Sequence, residues 1–175
     1  MEFRDLTADD IEVRVQSVKQ NGLILLLYKN ARVDMSILDE TVGAENWQRE
    51  HYECKGNLFC RVGINVNYAD IEMTERWVFK SDCGVESNTE AQKGEASDSF
   101  KRACFNWGIG RELYTSPLIW VKAEKCTIQN NKCYDRFAVE KISIENKKIV
   151  GLSIINNSIK SDNIKDKRCF VWSAK

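Results

Sequence analysis

The sequence has few residues that interrupt secondary structure or bind metals. It contains one proline and one histidine, and its 26 basic residues balance 26 acidic ones. A single proline argues against an extended linker. One histidine and seven cysteines without any Cys-x-x-Cys spacing predict neither a zinc site nor a regular disulfide framework. The balanced charge removes any argument for DNA binding from bulk electrostatics.

Long hydrophobic runs are also missing. The longest, at residues 23–28, is far too short to cross a bilayer, and charged residues within the first five positions do not resemble a leader peptide. An odd number of cysteines fits a reducing compartment. We therefore expect a soluble, cytoplasmic protein with no membrane partner.

The length of 175 residues and the 43% hydrophobic content suit a chain that buries one ordinary core. Charge is unevenly placed, since residues 141–175 carry a net +5 and residues 1–140 a net −5. We predict an annealing core over residues 1–120 and a β-rich extension with a basic tail over residues 121–175, either within the same domain or appended to it. The tail is either solvated or binds DNA or a partner.

The most informative pattern lies at residues 93–108. Apolar side chains recur there at the three- and four-residue steps of one helical face, namely Ala96, Phe100, Ala103, Cys104 and Trp107. Asn88 or Thr89 suits the N-cap, and Gly108 suits the left-handed residue that follows a helix. We predict one amphipathic helix from about residue 88 to residue 107.

The same helix carries two adjacent cations, Lys101 and Arg102. Lys101 falls on the flank of the apolar stripe and Arg102 nearly opposite it, because successive residues are rotated by about 100°. Two interpretations remain open from spacing alone. The cations bind phosphate, or they form exposed pairs with Asp98, three and four residues earlier.

Three consecutive strands are predicted before this helix, at residues 47–54, 58–66 and 72–80. Short polar turns join them, which is typical of an antiparallel meander. We expect the helix to cover one face of this sheet, over Phe59, Val78 and Trp77. The predicted fold class is therefore α+β.

Other elements follow from local patterns. Ile11, Val15 and Val18 form a stripe that predicts a short opening helix carrying Arg14. Residues 36–42 predict a short helix closed by Gly43. The remaining apolar runs predict strands at 23–28, 119–122, 137–144, 149–155 and 169–172, the last being either a strand or a docking peptide.

No set of residues is typical of an enzyme. His51 has no nucleophile motif around it, and the Gly-x-Gly at Gly108 follows a helix, so it is a helix end and not a nucleotide loop. Asp135, Glu140 and Lys141 come nearest to a nuclease cluster, but adjacent strand residues face opposite sides. We predict no catalytic residue and no metal ligand.

The helix and its flanks resemble the eukaryotic double-strand-break-repair annealing protein and its phage relatives, the Sak-type single-strand annealing proteins. The matching positions are Lys93, Ser97, Asp98, Phe100, Lys101, Arg102, Ala103, Trp107 and Gly108. A second block resembles the tyrosine-to-tryptophan segment of that family, with Tyr28, Arg32, Val33, Leu38, Val42, Gly43, Asn46 and Trp47. The resemblance covers residues 10–117, and residues 112–117 look closer to the phage branch.

Two departures from the family pattern weaken parts of the match. Phe105 stands where the eukaryotic pattern often has a further arginine. The loop over residues 84–91 is short and has no lysine, which puts a secondary DNA site there in doubt.

The resemblance implies an antiparallel meander on a central amphipathic helix, copies of the chain assembled into a ring, and annealing of single strands in recombination and repair without ATP or another cofactor. Single-stranded DNA, further copies of the chain and a host single-strand-binding protein are the implied partners. The candidate DNA-binding residues are Lys101, Arg102, Arg14, Lys93, Arg61, Arg76, Lys80 and Arg32. Two alternatives are a single-strand protector that does not anneal and a structural adaptor that does not bind DNA.

Overall fold

The computed structural model describes residues 1–70, 72–85 and 91–174, and at residues 91–93 the backbone alone. It is a mixed α+β structure with antiparallel sheets, which confirms the predicted fold class. The chain forms two compact units: Met1–Arg4 with Asn30–Gly110, and Asp5–Lys29 with Arg111–Lys175. We call them the helix–sheet unit and the six-stranded unit. The predicted functional division at residue 120 stays a prediction.

Strands and helices alternate irregularly along the described residues. The strands are β1 (Glu12–Lys19), β2 (Gly22–Tyr28), β3 (Trp47–Cys54), β4 (Asn57–Asn65), β5 (Trp77–Cys83), β6 (Ile119–Lys122), β7 (Phe137–Glu145), β8 (Lys148–Asn156) and β9 (Arg168–Ser173). The α-helices are α1 (Ala31–Val42), α2 (Ala91–Trp107) and the single turn α3 (Ile164–Lys167).

Helix α1 belongs to the helix–sheet unit and is closed at both ends by its own sequence. The Asn30 side chain accepts hydrogen bonds from the backbone N–H groups of Arg32 at 2.9 Å and Val33 at 3.3 Å, which satisfies two donors of the first turn. Gly43 follows the last turn with φ +85°, a conformation that favours glycine. The predicted end at Gly43 is confirmed, but the helix begins earlier than predicted.

The predicted order of three antiparallel strands is confirmed, but the third strand was predicted at residues 72–80 and runs from Trp77 to Cys83. β3, β4 and β5 form a three-stranded antiparallel sheet in that order, and α2 packs against β4 and β5. Gly84 directly follows β5 at a point where an added Cβ would collide with the backbone carbonyl of Glu95 in α2. The glycine therefore lets the end of the sheet approach the helix closely.

The residues on the two faces of this sheet differ in part from those predicted. Because side chains alternate along a strand, β4 places Cys60, Val62 and Ile64 on the helix side, and all three are completely buried. Val78 pairs with Ile64 and shares that side, as predicted. Phe59 and Trp77 lie on the opposite side, so the prediction that α2 covers them was wrong.

Helix α2 packs through the predicted apolar stripe. Phe100, Ala103 and Cys104 have no exposed surface. Gly108 has φ +100° and ends the helix, as the sequence predicted. The predicted caps Asn88 and Thr89 lie outside the described residues.

The six-stranded unit contains one antiparallel sheet with the strand order β6-β2-β1-β7-β8-β9. Its two edge strands, β6 and β9, approach each other, so the sheet is curled. The hairpin of β7 and β8 turns at Asn146 and Lys147, both with positive φ. The predicted strands in this part of the chain are confirmed, and the last apolar run is the strand β9.

The predicted opening helix was wrong. Residues 12–19 form β1, which pairs with β2 along its length. A bulge between Val15 and Ser17 inserts Gln16 into the register, so Val18 returns to the side that Val15 occupies. The bulge therefore produces the three-residue spacing of Val15 and Val18 that imitates a helical stripe.

A tight ion pair ties β7 to the end of the sheet. Arg168, at the start of β9, donates to both carboxylate oxygens of Glu140, at 2.7 Å and 2.5 Å, and the Ser153 hydroxyl donates to the same carboxylate at 2.6 Å. The hydrogen bonds from Arg168 lower the pKa of Glu140 to about 2. Glu140 therefore joins β7 to β8 and to the start of β9.

Candidate nucleic-acid interface

Helix α2 presents two cations beside its buried stripe. Lys101 and Arg102 directly follow Phe100, and helical rotation takes both off the buried stripe, although the Arg102 side chain still reaches Asp82 on β5. Their side chains keep 21% and 40% of their surface exposed. The helix therefore holds two neighbouring positive charges at the surface of the helix–sheet unit.

Each of these cations has an acidic neighbour within 4 Å. Lys101 Nζ lies 3.9 Å from Asp98 Oδ1 one turn earlier on α2. Arg102 Nε lies 3.4 Å from Asp82 Oδ1 on β5. Exposed ion pairs contribute only about 0–1 kcal/mol. A phosphate could therefore replace Asp98 or Asp82 at little cost.

Arg49 is a third cation on the helix side of the sheet, and sequence reasoning missed it. Its guanidinium lies 4.7 Å from the centre of the Phe100 ring, and the Trp47 ring stacks on Phe100 at 6.1 Å. Arg49 and Trp47 are two residues apart on β3 and so share a face. Trp47 and Arg49 alternate with outward-facing residues along a strand that was predicted to lie under the helix. That spacing was a signal that could have identified Arg49.

Lys80 lies at the C-terminal end of α2. Its ammonium donates to the carbonyl oxygen of Asn106 at 2.9 Å and lies 4.6 Å from the centre of the Trp107 ring. A cation beside the free carbonyls of a last helical turn stabilises the helix. This contact with the end of α2 explains the presence of Lys80 without any role in DNA binding.

Arg61 is on the other side of the sheet from α2. It donates through Nη2 to Glu50 at 2.5 Å and lies 5.1 Å from the centre of the Phe79 ring. The structure therefore does not bring Arg61 together with Lys101 and Arg102.

The remaining candidates are spread over other elements. Arg32 is exposed in the first turn of α1, and Arg76 is exposed just before β5. The side chain of Lys93 lies outside the described residues. Arg14 belongs to the six-stranded unit, where it pairs with Glu12 at 2.6 Å and lies 5.1 Å from the Tyr28 ring centre.

The Cys60 thiol adds no charge on the helix side of the sheet. Burial raises the pKa of Cys60 to about 11, partly opposed by the charge of Arg49. Cys60 is therefore protonated at neutral pH. The one histidine, His51, is exposed, and its Nε2 lies 3.1 Å from the carbonyl oxygen of Ala96, to which it can donate.

Possible metal sites and membrane-spanning helices can be assessed for the described residues only. Within them, no three His, Cys, Asp or Glu side chains are grouped so that they could hold a metal ion. No helix in the same part of the chain combines the length and the apolar character needed to span a bilayer.

Comparison with known proteins places most of the chain within one described family. The model of a family described as "Rad52/22 family double-strand break repair protein" matches residues 3–132. No curated protein and no solved structure matched the chain. The matched range includes β1 to β6 and all of α2, so both blocks of the sequence resemblance lie within it.

Proposed function

We propose that this chain, which belongs to the Rad52/22 family of double-strand break repair proteins, binds single-stranded DNA through Lys101 and Arg102 and anneals complementary strands without ATP. The observation that carries the proposal is the pair of adjacent, partly exposed cations on α2, whose acidic neighbours lie 3.9 Å and 3.4 Å away.

The loose pairing suits a backbone-binding role. Lys101 and Arg102 would exchange Asp98 and Asp82 for phosphate oxygens, which form charge-assisted hydrogen bonds with both ammonium and guanidinium groups. Contacts to phosphate and sugar carry no sequence information and leave the base edges free. Two strands held in this way can test pairing while the cations screen their mutual repulsion.

Annealing then needs no chemical energy source. Stacking in the new duplex contributes about 1.4 kcal/mol per base-pair step. Since no bond is made or broken, we assign no catalytic residue. Arg49, which is exposed on β3 beside Phe100, is a further candidate phosphate contact.

The finer parts of the sequence prediction belong to this proposal as well. They are a homo-oligomeric ring, kinship with the phage Sak-type proteins, contact with a host single-strand-binding protein, and further DNA contacts by Arg14, Arg32, Arg76 and Lys93. Arg61 and Lys80 are weaker candidates, because Glu50 and the C-terminus of α2 already engage them.

A structural adaptor is the second candidate, because Lys101 and Arg102 already have carboxylates within 4 Å. In that case Lys101 serves only to pair with Asp98 within α2, and Arg102 only to join α2 to β5. An experiment that measures DNA retention and folding separately decides between the two functions.

The test is an annealing assay with two complementary oligonucleotides, one carrying a fluorophore and the other a quencher. We expect the wild type to accelerate pairing and the double variant Lys101→Ala/Arg102→Ala to leave it at the spontaneous rate. DNA affinity should fall about 100-fold, because each charged hydrogen bond contributes about 1.5 kcal/mol.

The matched control is Lys122→Ala, which removes an exposed lysine of the six-stranded unit. It should retain both DNA and annealing. Unchanged DNA retention in the double variant would favour the adaptor. A wild type that retains DNA without accelerating pairing would be a protector, and either result contradicts the proposal.

A further inference from the structure

Three cysteines of the six-stranded unit lie near one another where the chain passes from β6 to β7. Cys126 and Cys133 belong to the connection between these strands, and Cys169 is on the edge strand β9. All three are free thiols. The proposed DNA binding does not use them, and Cys133 lies beyond residues 3–132, which the family model matches. The cluster is therefore a feature of this chain that the family match does not imply.

A tight turn folds the connection between β6 and β7 back on itself. Gln129 and Lys132 exchange two backbone hydrogen bonds of 2.9 Å, and the residues between them, Asn130 and Asn131, both have positive φ. Two such residues are typical of the short turn that joins paired antiparallel segments. The turn therefore places the two cysteine-containing halves of the connection side by side.

The thiols of Cys126 and Cys133 meet at the base of this turn. A side-chain hydrogen bond joins them. Hydrogen bonds from the backbone N–H groups of Thr127 and Asp135 reach the Cys133 sulfur, which places that sulfur beside the residue directly after Cys126. The Cys126 thiol also donates to the carbonyl oxygen of Lys122 at 3.5 Å. The two sulfur atoms are therefore neighbours in the folded chain.

A buried amide holds both halves of the connection in place. Asn156 on β8 has no exposed surface. Its side-chain N–H groups donate to the Asp135 carboxylate at 2.8 Å and to the carbonyl oxygen of Lys125 at 3.1 Å. These bonds fix the residue just before the first thiol and the residue two places after the second. The pair is thus held together by the fold and not by chance contact of a loose loop.

Cys169, the third thiol, is engaged elsewhere. It donates to the carbonyl oxygen of Ile154 on the neighbouring strand at 3.4 Å. Burial raises the pKa of Cys169 to about 12, and the charge of Cys126 contributes less to that shift. Cys126 and Cys133, in contrast, are directly hydrogen-bonded. Cys133 is therefore the thiol that Cys126 contacts.

The surroundings of Cys133 support its thiolate better than those of Cys126. Burial raises the pKa of Cys133, but the two backbone N–H groups at its sulfur oppose that effect. At Cys126 burial is the largest of several causes that all raise the pKa, which reaches about 11. Because the thiolate is the nucleophile in thiol chemistry, Cys133 is the better nucleophile of the two.

We propose that Cys126 and Cys133 form a reversible disulfide within the chain when it meets a small disulfide such as oxidised glutathione. The bond would close residues 126–133 into a covalent ring next to the edge strand β6. Disulfides of proteins in reducing compartments are mostly transient ones of this kind.

The exchange proceeds in two balanced steps. Cys133 loses its proton to solvent, and its thiolate attacks one sulfur of the small disulfide, whose S–S bond breaks and releases one thiolate that takes up a proton. Cys126 then loses its proton, and its thiolate attacks the Cys133 sulfur and releases the second small thiol in the same way. Two cysteine thiols are oxidised, and one small disulfide is reduced to two thiols.

The experiment incubates the whole protein, without DNA, at increasing ratios of oxidised to reduced glutathione. Remaining thiols are blocked with iodoacetamide, and trypsin then releases residues 126–132 and residues 133–136 as separate peptides, since each is bounded by lysine or arginine. We expect mass spectrometry to find these two peptides joined in the wild type and separated after reduction. Cys126→Ser and Cys133→Ser should lose the joined peptides completely. Cys169→Ser is the matched control and should form them at the wild-type ratio.

The single variants also test which thiol attacks first. Cys126→Ser should accumulate a mixed disulfide with glutathione at Cys133, and Cys133→Ser should carry less of it at Cys126. The reverse order would contradict the assigned roles. Exposed Cys54 shows in every sample that the oxidant is active.

Three results would overturn the proposal. They are residues 126–132 joined to residues 169–175, separate peptides at a ratio that modifies Cys54, and a changed ratio in Cys169→Ser. Each is measured without DNA and on residues outside α2, so a failure here is distinct from a failure of the annealing proposal.

Discussion

The two sides of α2 show how three consecutive residues can serve different purposes. Phe100 is fully buried against the sheet, whereas Lys101 and Arg102 keep part of their surface in solvent and hold their acidic neighbours loosely. The difference follows from the helical rotation of about 100° per residue. Substitutions on the buried side should therefore change stability, and those on the other side should change DNA affinity with little effect on stability.

Replacing Phe100 by alanine should produce the largest effect. The substitution removes a fully buried ring that contacts Trp47 and Arg49. We expect the free energy of unfolding in urea to fall by about 3–5 kcal/mol, from lost burial and the cavity left behind. Lys101→Ala is the matched control and should change it by less than about 0.5 kcal/mol. Similar losses in both variants would contradict the division between the two sides.

The tight ion pair of Glu140 and Arg168 can be compared with the longer pair of Asp82 and Arg102. The pKa of Glu140 is lowered from 4.5 to about 2, so its carboxylate stabilises the folded state above pH 4.5. That contribution is lost as the pH falls from 4.5 to about 2. We expect Glu140→Gln to lower the melting temperature at pH 7.

A pH series of melting temperatures checks this expectation. The difference between Glu140→Gln and the wild type should shrink as the pH falls through this window. Asp82→Asn, which affects the long pair with Arg102, should show a smaller difference at every pH. A gap for Glu140→Gln that is constant from pH 7 to pH 2 would contradict the role of the ion pair.

The smallest expected effect is a gain in DNA affinity. Asp82→Asn removes the charge opposite Arg102 but keeps an oxygen to accept the hydrogen bond from the N–H of Cys83. Because an exposed pair is worth at most about 1 kcal/mol, affinity for a single strand should rise up to about fivefold. Glu124→Gln makes the same change in net charge and should leave affinity unchanged. A loss of affinity in Asp82→Asn would show that Asp82 positions Arg102 for binding.

Local sequence patterns were sufficient for the elements whose boundaries are set by single residues. Gly43 and Gly108 end their helices as predicted because both adopt positive φ. β3 and β6 have the predicted boundaries. The order of the meander could be predicted because each of its strands pairs with its neighbour in sequence, but the start of β5 could not, because residues 66–76, and not a short turn, separate it from β4.

The errors arise where distant parts of the chain decide the outcome. Gln16 is a bulged residue only because β1 pairs with β2. The bulge gives the strand a three-residue apolar spacing that is typical of a helix, which is why a helix was predicted there. The strand order β6-β2-β1-β7-β8-β9 joins segments far apart in sequence, which no local pattern indicates. Likewise, the sequence predicts Lys101 and Arg102 as candidate DNA contacts but gives no signal for Asp82, whose proximity to Arg102 depends on how α2 packs on β5.

The salt dependence of single-strand affinity tests the central claim most directly. Each phosphate contact to a single strand contributes about 0.7 to the slope of the logarithm of affinity against the logarithm of salt concentration. If Lys101 and Arg102 each bind one phosphate, the double variant Lys101→Ala/Arg102→Ala should have a slope shallower than that of the wild type by about 1.4. Equal slopes for the two proteins would show that these cations do not bind the DNA backbone.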